Sequence, residues 1–133
     1  LRWWLSFAPE IPLKTDFDIL DHVRLAPDIF LVKKVSDTDF EFRIHGENAN
    51  RIFGDYTGKV ISTNGPQSSD KTREEVRLAK YYQELIENPV SMKNIGSLSL
   101  INKGYLKFES LDCPLRDENL EITYIIGTIA ILD

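Results

Sequence analysis

The sequence predicts an α+β domain: five antiparallel strands in one sheet, helices packed on one face, and an N-terminal helix flanking it. Residues 40–45 alternate apolar and polar side chains with a period of two, as a half-buried strand does. Residues 70–87 carry an apolar stripe at helical spacing. Three further strand-like runs follow that helix, so the strands fall into two groups around a helical insert, which is an α+β order.

The N-terminal region is predicted to be helical. The run "LRWWLSF" is typical of the end of an amphipathic helix, which Pro9 terminates. Thr15 and Asp16 are suitable caps for a second short helix through "FDILDHV", and Pro27 limits it. Residues 1–28 are therefore expected to form a helical flank of the domain.

The first two strands are predicted to form a hairpin. Residues 28–35 are rich in β-branched and aromatic side chains, "SDTD" at 36–39 is a turn signal, and 40–45 is the alternating run. We expect the 40–45 strand at an edge of the sheet and the 29–35 strand beside the last strand.

A short helix is predicted to follow the second strand. Gly46 ends the strand, and "ENANRIF" then places Ala49, Ile52 and Phe53 on one helical face. Gly54 has the usual position of a left-handed C-terminal cap. We expect this break in the strand to build one wall of a small pocket.

The long helix is predicted over 70–87, after a polar loop at 62–69. Thr72 and Glu75 have the spacing of a capping box, and Asn88-Pro89 ends the helix. Strand candidates follow at 90–101, 105–115 and 121–132, joined by short loops at 102–104 and 116–119.

The last strand is apolar on both faces, unlike a strand with one face in water. Ile122, Tyr124 and Ile126 share one face, and Ile125 and Ile129 share the other. The second face therefore needs a cover, and the tryptophan-bearing helix is the nearest candidate, from the same chain or from a partner.

Composition limits the class of protein. The 133 residues fit one domain, and with 42% hydrophobic and 28% charged residues the chain is globular in character. The net charge of −5 without a basic stripe argues against nucleic-acid and membrane partners. A single cysteine, Cys113, excludes an internal disulfide and favours a reducing, cytoplasmic location. Because the first residue is Leu1, we expect the chain to be cut from something longer.

The element order and several passages resemble PAS domains, and in particular the bacterial single-domain PAS proteins with an N-terminal tryptophan-bearing helix. The matching passages are "WWLSFAPEIPLKTDFDILDHVRLAPDIFLV", "FEFRIHGENANRIFGDYTGK" and "FESLDCPLRDENLEITYIIG". The resemblance implies a PAS-like domain over 29–133 after the flank at 1–28. It also implies a sheet folded around helices to enclose a ligand cavity, with dimer or partner contacts through the flanking helix.

The resemblance suggests two sets of functional residues and leaves the cofactor open. The expected ligand-binding residues are Phe42, Ile44, Phe53, Tyr56, Tyr82 and Tyr124. The expected interface residues are Trp3, Trp4 and Leu5. For any one aromatic residue of the first set, ordinary core packing is the competing interpretation.

Other chemical candidates are weaker. Some PAS domains bind haem through a histidine, but alternation places His45 on the polar face with Glu41 and Arg43, so we expect a surface histidine. Asp18, Asp21 and His22 have near-helical spacing, but a capped helix start is favoured over a metal site. Flavin photosensors carry their cysteine in a helical motif. Cys113 lies before a proline in a predicted strand, so it is expected to be a small packed side chain.

Three functions follow in order of preference. The first is a sensory or regulatory PAS module that binds a small apolar or aromatic ligand and signals through protein contacts. The second is a ligand-free interaction module whose function is dimerisation. The third is a small α+β isomerase or cyclase, which should carry a buried carboxylate or histidine opposite a tyrosine. The strand faces predicted to point inward supply neither group, so we expect no enzyme.

Overall fold

The computed structural model describes residues 1–98 and 103–132 of the chain. In chain order the elements are α1 (Arg2–Leu5), β1 (Ile29–Lys34), β2 (Asp39–His45), α2 (Glu47–Phe53), β3 (Val60–Ser62), α3 (Asp70–Glu87), β4 (Met92–Leu98), β5 (Lys103–Arg116) and β6 (Ile122–Leu132). Two 3₁₀ segments, Lys14–Asp16 and Ile19–Asp28, lie between α1 and β1. The predicted α+β class is confirmed.

The strands form one antiparallel sheet in the order β3-β2-β1-β6-β5-β4. The five predicted strands are present, and β1 lies beside β6 as expected. The prediction that β2 is an edge strand is wrong, because β3 pairs outside it, with Phe40 opposite Ile61. Three residues are too few to show an alternating pattern, so periodicity could not indicate β3.

The hairpin of β4 and β5 is described only in part. Leu98 pairs with Lys103, so the two strands are antiparallel up to the connection. The end of the strand predicted over 90–101 and the start of the loop predicted at 102–104 lie outside the described residues.

The long helix α3 has the predicted bounds but a different cap. Ser69 is the N-cap: its Oγ accepts a hydrogen bond from the Thr72 backbone N–H at 3.2 Å, and the Thr72 hydroxyl oxygen accepts one from the Ser69 N–H at 3.0 Å. Glu75, predicted as the second member of a capping box with Thr72, bonds to Tyr56 instead. The box therefore lies three residues earlier than predicted, because both Ser69 and Thr72 have hydroxyls at the required spacing.

The second N-terminal helix is also capped differently. Asp18, rather than Thr15 or Asp16, accepts a hydrogen bond from the Leu20 N–H at 2.9 Å and starts the 3₁₀ segment. That segment is kinked at His22, whose backbone is non-helical.

Both faces of the central strands β1 and β6 and of the end of β5 carry buried side chains. The inner face of the sheet packs against α2 and α3, and its outer face lies beneath the N-terminal segment. The inner core contains Phe30, Val32, Phe40, Phe42, Ala49, Ile52, Tyr56, Ile61, Ala79, Tyr82, Leu85, Phe108, Ile125 and Ile129. The outer core contains Ile29, Leu31, Cys113, Leu115 and Ile126, with Trp3 and Trp4 packed against it. The cover expected over an apolar face of β6, which is the face of Ile126, is therefore supplied within the chain.

Candidate functional site

A β-bulge in β2 decides which side chains reach the inner face. Leu31 of β1 lies opposite Ile44, but the next residue, Val32, lies opposite Phe42. Arg43 is thus an extra residue without a partner on β1, and alternation restarts after it. As a result Phe42 and His45 both face inward, whereas Ile44 faces outward.

His45 is consequently buried, and the expectation of a surface histidine is wrong. Its side chain is 7% exposed and lies among three rings, with centroid distances of 5.4 Å to Phe42, 6.1 Å to Tyr56 and 6.4 Å to Phe53. Strict alternation over 40–45 placed His45 on the wrong face because it does not allow for the extra residue Arg43 in the bulge.

The protonation of His45 follows from this setting. Burial lowers the pKa of His45, and the hydrogen bond to Asn50 and the charge of Asp55 oppose that effect only in part. At neutral pH the imidazole is therefore uncharged. Its Nδ1 is bonded to Asn50 Oδ1. Because an amide oxygen only accepts, Nδ1 carries the proton and Nε2 keeps a free lone pair.

Two of the six expected ligand-binding residues lie on the wrong face. Ile44 and Tyr124 pack against the outer core, not beside the inner aromatic rings. The bulge turns Ile44 outward, and the pairing of Tyr124 with Lys33 fixes Tyr124 outward. Since β6 is apolar on both faces, periodicity could not indicate which face of that strand is the inner one.

Tyr56 connects the chain after α2 to α3. Its hydroxyl donates a hydrogen bond to Glu75 Oε2 at 2.7 Å, and burial together with this carboxylate raises the pKa of Tyr56. Gly54, which ends α2, has a φ of 92° that a residue with a side chain rarely adopts. The prediction of a left-handed C-terminal cap at Gly54 is wrong, because its ψ of 173° lies outside the left-handed helical region.

The space enclosed between these elements is small. A cavity of about 10 Å³ is lined by Phe42, His45, Phe53, Tyr56, Glu75 and Leu78. That is room for about one water molecule. Tyr82, the remaining expected ligand residue, is buried 6.3 Å from the Phe42 ring but does not line the cavity. The ligand-binding role of Phe42, Phe53, Tyr56 and Tyr82 stays a prediction.

A second buried polar group, Asp112, lies farther along the inner face. The carboxyl is 1% exposed, and its Oδ2 accepts hydrogen bonds from the Tyr81 hydroxyl at 2.5 Å and the Ser110 hydroxyl at 2.9 Å. Its Oδ1 has no hydrogen-bond partner among the described residues. Burial raises the pKa of Asp112 to about 6, although both hydroxyls act in the opposite direction.

Asp112 and His45 overturn the reason given for ranking an enzyme last, since both are buried and each lies beside a tyrosine. The burial of Asp112 could have been predicted, because it alternates with Phe108 and Ser110 on one face of β5. The Asp112 carboxyl is nevertheless closed off from solvent, because the Phe30 ring packs over Gly127 next to it. A Cβ added at Gly127 would lie only 2.7 Å from Phe30 Cε1 and 2.8 Å from Asp112 Oδ1, so no space is left there.

The expected interface residues lie at the outer face. Trp3 and Trp4 are half-buried against their own chain, and the Trp4 Nε1–H donates to the Pro114 carbonyl oxygen at 2.8 Å. Leu5 remains 49% exposed. Cys113 is buried beneath the tryptophans, and burial raises the pKa of its thiol to about 11, so it is a packed side chain as expected.

Comparisons with known proteins add little to this geometry. No protein-family model matches the chain, and no curated protein matches it. A crystal structure described as an IcIR transcriptional regulator from Alicyclobacillus acidocaldarius aligns with a TM-score of 0.38 and 11% identity, over 84% of this chain and 54% of that one. The present chain thus spans about half of that structure's length.

The described residues contain neither a cluster suited to a metal ion nor a helix suited to span a membrane. No group of three His, Cys, Asp or Glu residues among them is arranged to hold a metal ion. No helix in the described part of the chain is long and apolar enough to cross a membrane.

Proposed function

We propose that the chain is a sensory or regulatory module of the PAS type, which binds a small aromatic or apolar ligand and signals through protein contacts. The passages that resemble PAS domains support this assignment. The β1–β6 pairing and the N-terminal helix on the outer face agree with the arrangement expected from that resemblance.

The observation that carries the ligand proposal is the burial of a neutral His45 among aromatic rings. Small-molecule sites are mostly apolar, with a few polar groups that fix the ligand's orientation. Phe42, Phe53 and Tyr56 provide the apolar lining, and the unprotonated Nε2 of His45 provides a hydrogen-bond acceptor. A planar ligand with an N–H or O–H group satisfies both features.

Entry of such a ligand requires the cavity to widen. The Tyr56–Glu75 hydrogen bond is the polar contact that closes the cavity lining between the chain after α2 and the helix α3. Exchange of this one bond for bonds to a ligand would let Phe53 and Tyr56 move away from α3. The cavity of about 10 Å³ has no room for a haem, so His45 is assigned a hydrogen-bonding role rather than that of an axial ligand.

Native mass spectrometry of protein purified from several expression hosts tests the proposal. We expect a bound small molecule in the wild type, loss of that molecule in His45→Phe, and its retention in Arg51→Ala. Arg51 lies on the exposed side of α2, so this variant controls for a general effect on that helix. Unliganded wild-type protein from every host, with no binder in a library of small aromatic compounds, would contradict the proposal.

A ligand-free interaction module remains the second candidate because the inner core is nearly filled. In that case the exposed Leu5 would contact a second copy or a partner protein. Analytical ultracentrifugation should then show a dimer that Leu5→Glu disrupts and Leu20→Glu, at another exposed position, does not. A wild-type monomer at high concentration would rule out dimerisation as the function.

A further inference from the structure

The outer face holds a cavity that the proposed ligand site does not include. It has a volume of about 70 Å³ and is open on one side, between the N-terminal segment and the sheet. Trp3, Trp4 and Phe17 form aromatic walls, and Cys113 and Ile126 lie at its floor. It is therefore larger than the inner cavity and lies on the opposite face of the sheet.

Stacked rings hold one wall of this cavity in place. His22 lies parallel to Phe17, with centroids 5.2 Å apart and planes 9° from parallel. Trp3 meets both rings edge-on, at 5.4 Å from Phe17 and 5.9 Å from His22. Such edge-to-face and stacked contacts fix ring orientation. The aromatic wall is thus largely formed before anything binds.

His22, which lines this cavity, also has an unmatched polar atom. Its Nε2 is buried and has no hydrogen-bond partner in the described part of the chain. Buried polar side-chain atoms are paired in the large majority of cases, so this nitrogen calls for a partner. Of the two indole N–H groups at the cavity, that of Trp4 already donates to the Pro114 carbonyl oxygen.

We propose that the outer-face cavity binds a small planar aromatic molecule bearing a hydroxyl group, with the hydroxyl bonded to His22 Nε2. The aromatic walls favour a flat ring. A hydroxyl suits Nε2 in either tautomer of the imidazole, because it can donate to the bare nitrogen or accept from the protonated one. Since Nε2 is buried, the side chains that cover it must move aside when the hydroxyl enters.

The size of the cavity sets how the ligand sits. A fully enclosed site for benzene has about 150 Å³, and this cavity has about 70 Å³. The hydroxyl end of the ring therefore enters, and the far edge stays at the open side. A ligand held there lies between the N-terminal segment and the sheet, so its binding would act on the same flank that the PAS resemblance links to partner contacts. The site itself is independent of His45.

The protein carries its own reporters for this site. The chain has two tryptophans, and both line the cavity, so each indole N–H signal in a ¹H–¹⁵N correlation spectrum observes it directly. We expect phenol to shift the Trp3 indole signal saturably. Toluene, which has the same size but a methyl group in place of the hydroxyl, should bind about fivefold more weakly, as expected for one hydrogen bond.

His22→Phe is the decisive variant, because it keeps a ring against Phe17 and removes Nε2. It should lower phenol affinity to the level of toluene, and Leu20→Ala, an exposed position on the same 3₁₀ segment, should leave it unchanged. Absence of a saturable indole shift with phenol would overturn the site. Equal affinity of the wild type for phenol and toluene would overturn the hydroxyl ligand class even if His22→Phe failed to fold.

Discussion

The Asp112→Asn variant should gain stability relative to the wild type as the pH rises from acid to neutral. The asparagine side chain would keep the shape of the original and an oxygen that can accept the Tyr81 and Ser110 hydroxyl hydrogen bonds. What the substitution removes is the charge. Wild-type Asp112 acquires that charge in a buried position beside Gly127, where Oδ1 has no partner among the described residues.

The magnitude follows from the pKa of Asp112. It rises from its usual value of 3.8 to about 6 in the folded protein. Between these two values the unfolded chain has lost the proton and the folded protein still holds it, so wild-type stability falls as the pH rises through this window. At about 1.36 kcal/mol per pKa unit, the loss is about 3 kcal/mol, complete just above pH 6.

Urea unfolding at pH 3.5, 5 and 7.5 measures this effect. The free energy of unfolding of Asp112→Asn minus that of the wild type should increase by about 3 kcal/mol from the lowest to the highest pH. Asp37→Asn removes a carboxyl from the exposed turn before β2 and controls for the general loss of one negative charge. A difference for Asp112→Asn that stays constant across the three pH values would refute the reasoning.

Three further outcomes are expected. Deletion of Arg43, the unpaired residue of the bulge, should lower the free energy of unfolding in urea by less than about 2 kcal/mol, because Phe42 and His45 still face inward. Deletion of Glu41, which pairs with Lys33, shifts the register of the strand and should prevent folding. A similar loss for both deletions would contradict the bulge. Tyr82→Ala should lower the free energy of unfolding by about 3 kcal/mol, as aromatic truncations in a filled core do; a loss below about 1 kcal/mol would point to an open pocket instead. Removal of residues 1–8 uncovers the outer core and should promote association in sedimentation velocity, and unchanged sedimentation and melting would count against the covering role of α1.

Local patterns predicted the elements well and the faces unevenly. The helix α3 follows from the apolar stripe at Val76, Ala79 and Leu85, a signal that repeats over about three turns and tolerates an error at the cap. The face of His45 depended on counting residues from Phe40, and one extra residue at Arg43 reversed the result. Asp112 was overlooked, although Phe108 on the same face of β5 marks it as inward.

The sequence by itself determined the order and type of the elements, the break after β2 and the need to cover both faces of β6, because periodicity and breaker residues are local properties. Only the tertiary structure decided that Ile44 and Tyr124 face outward, that His45 and Asp112 are buried, and that β3 closes the edge beside β2. These features depend on the register between strands and on which face receives α2 and α3. A bulge or a three-residue strand changes them without altering the local pattern, since pairing partners far apart in the chain choose the register.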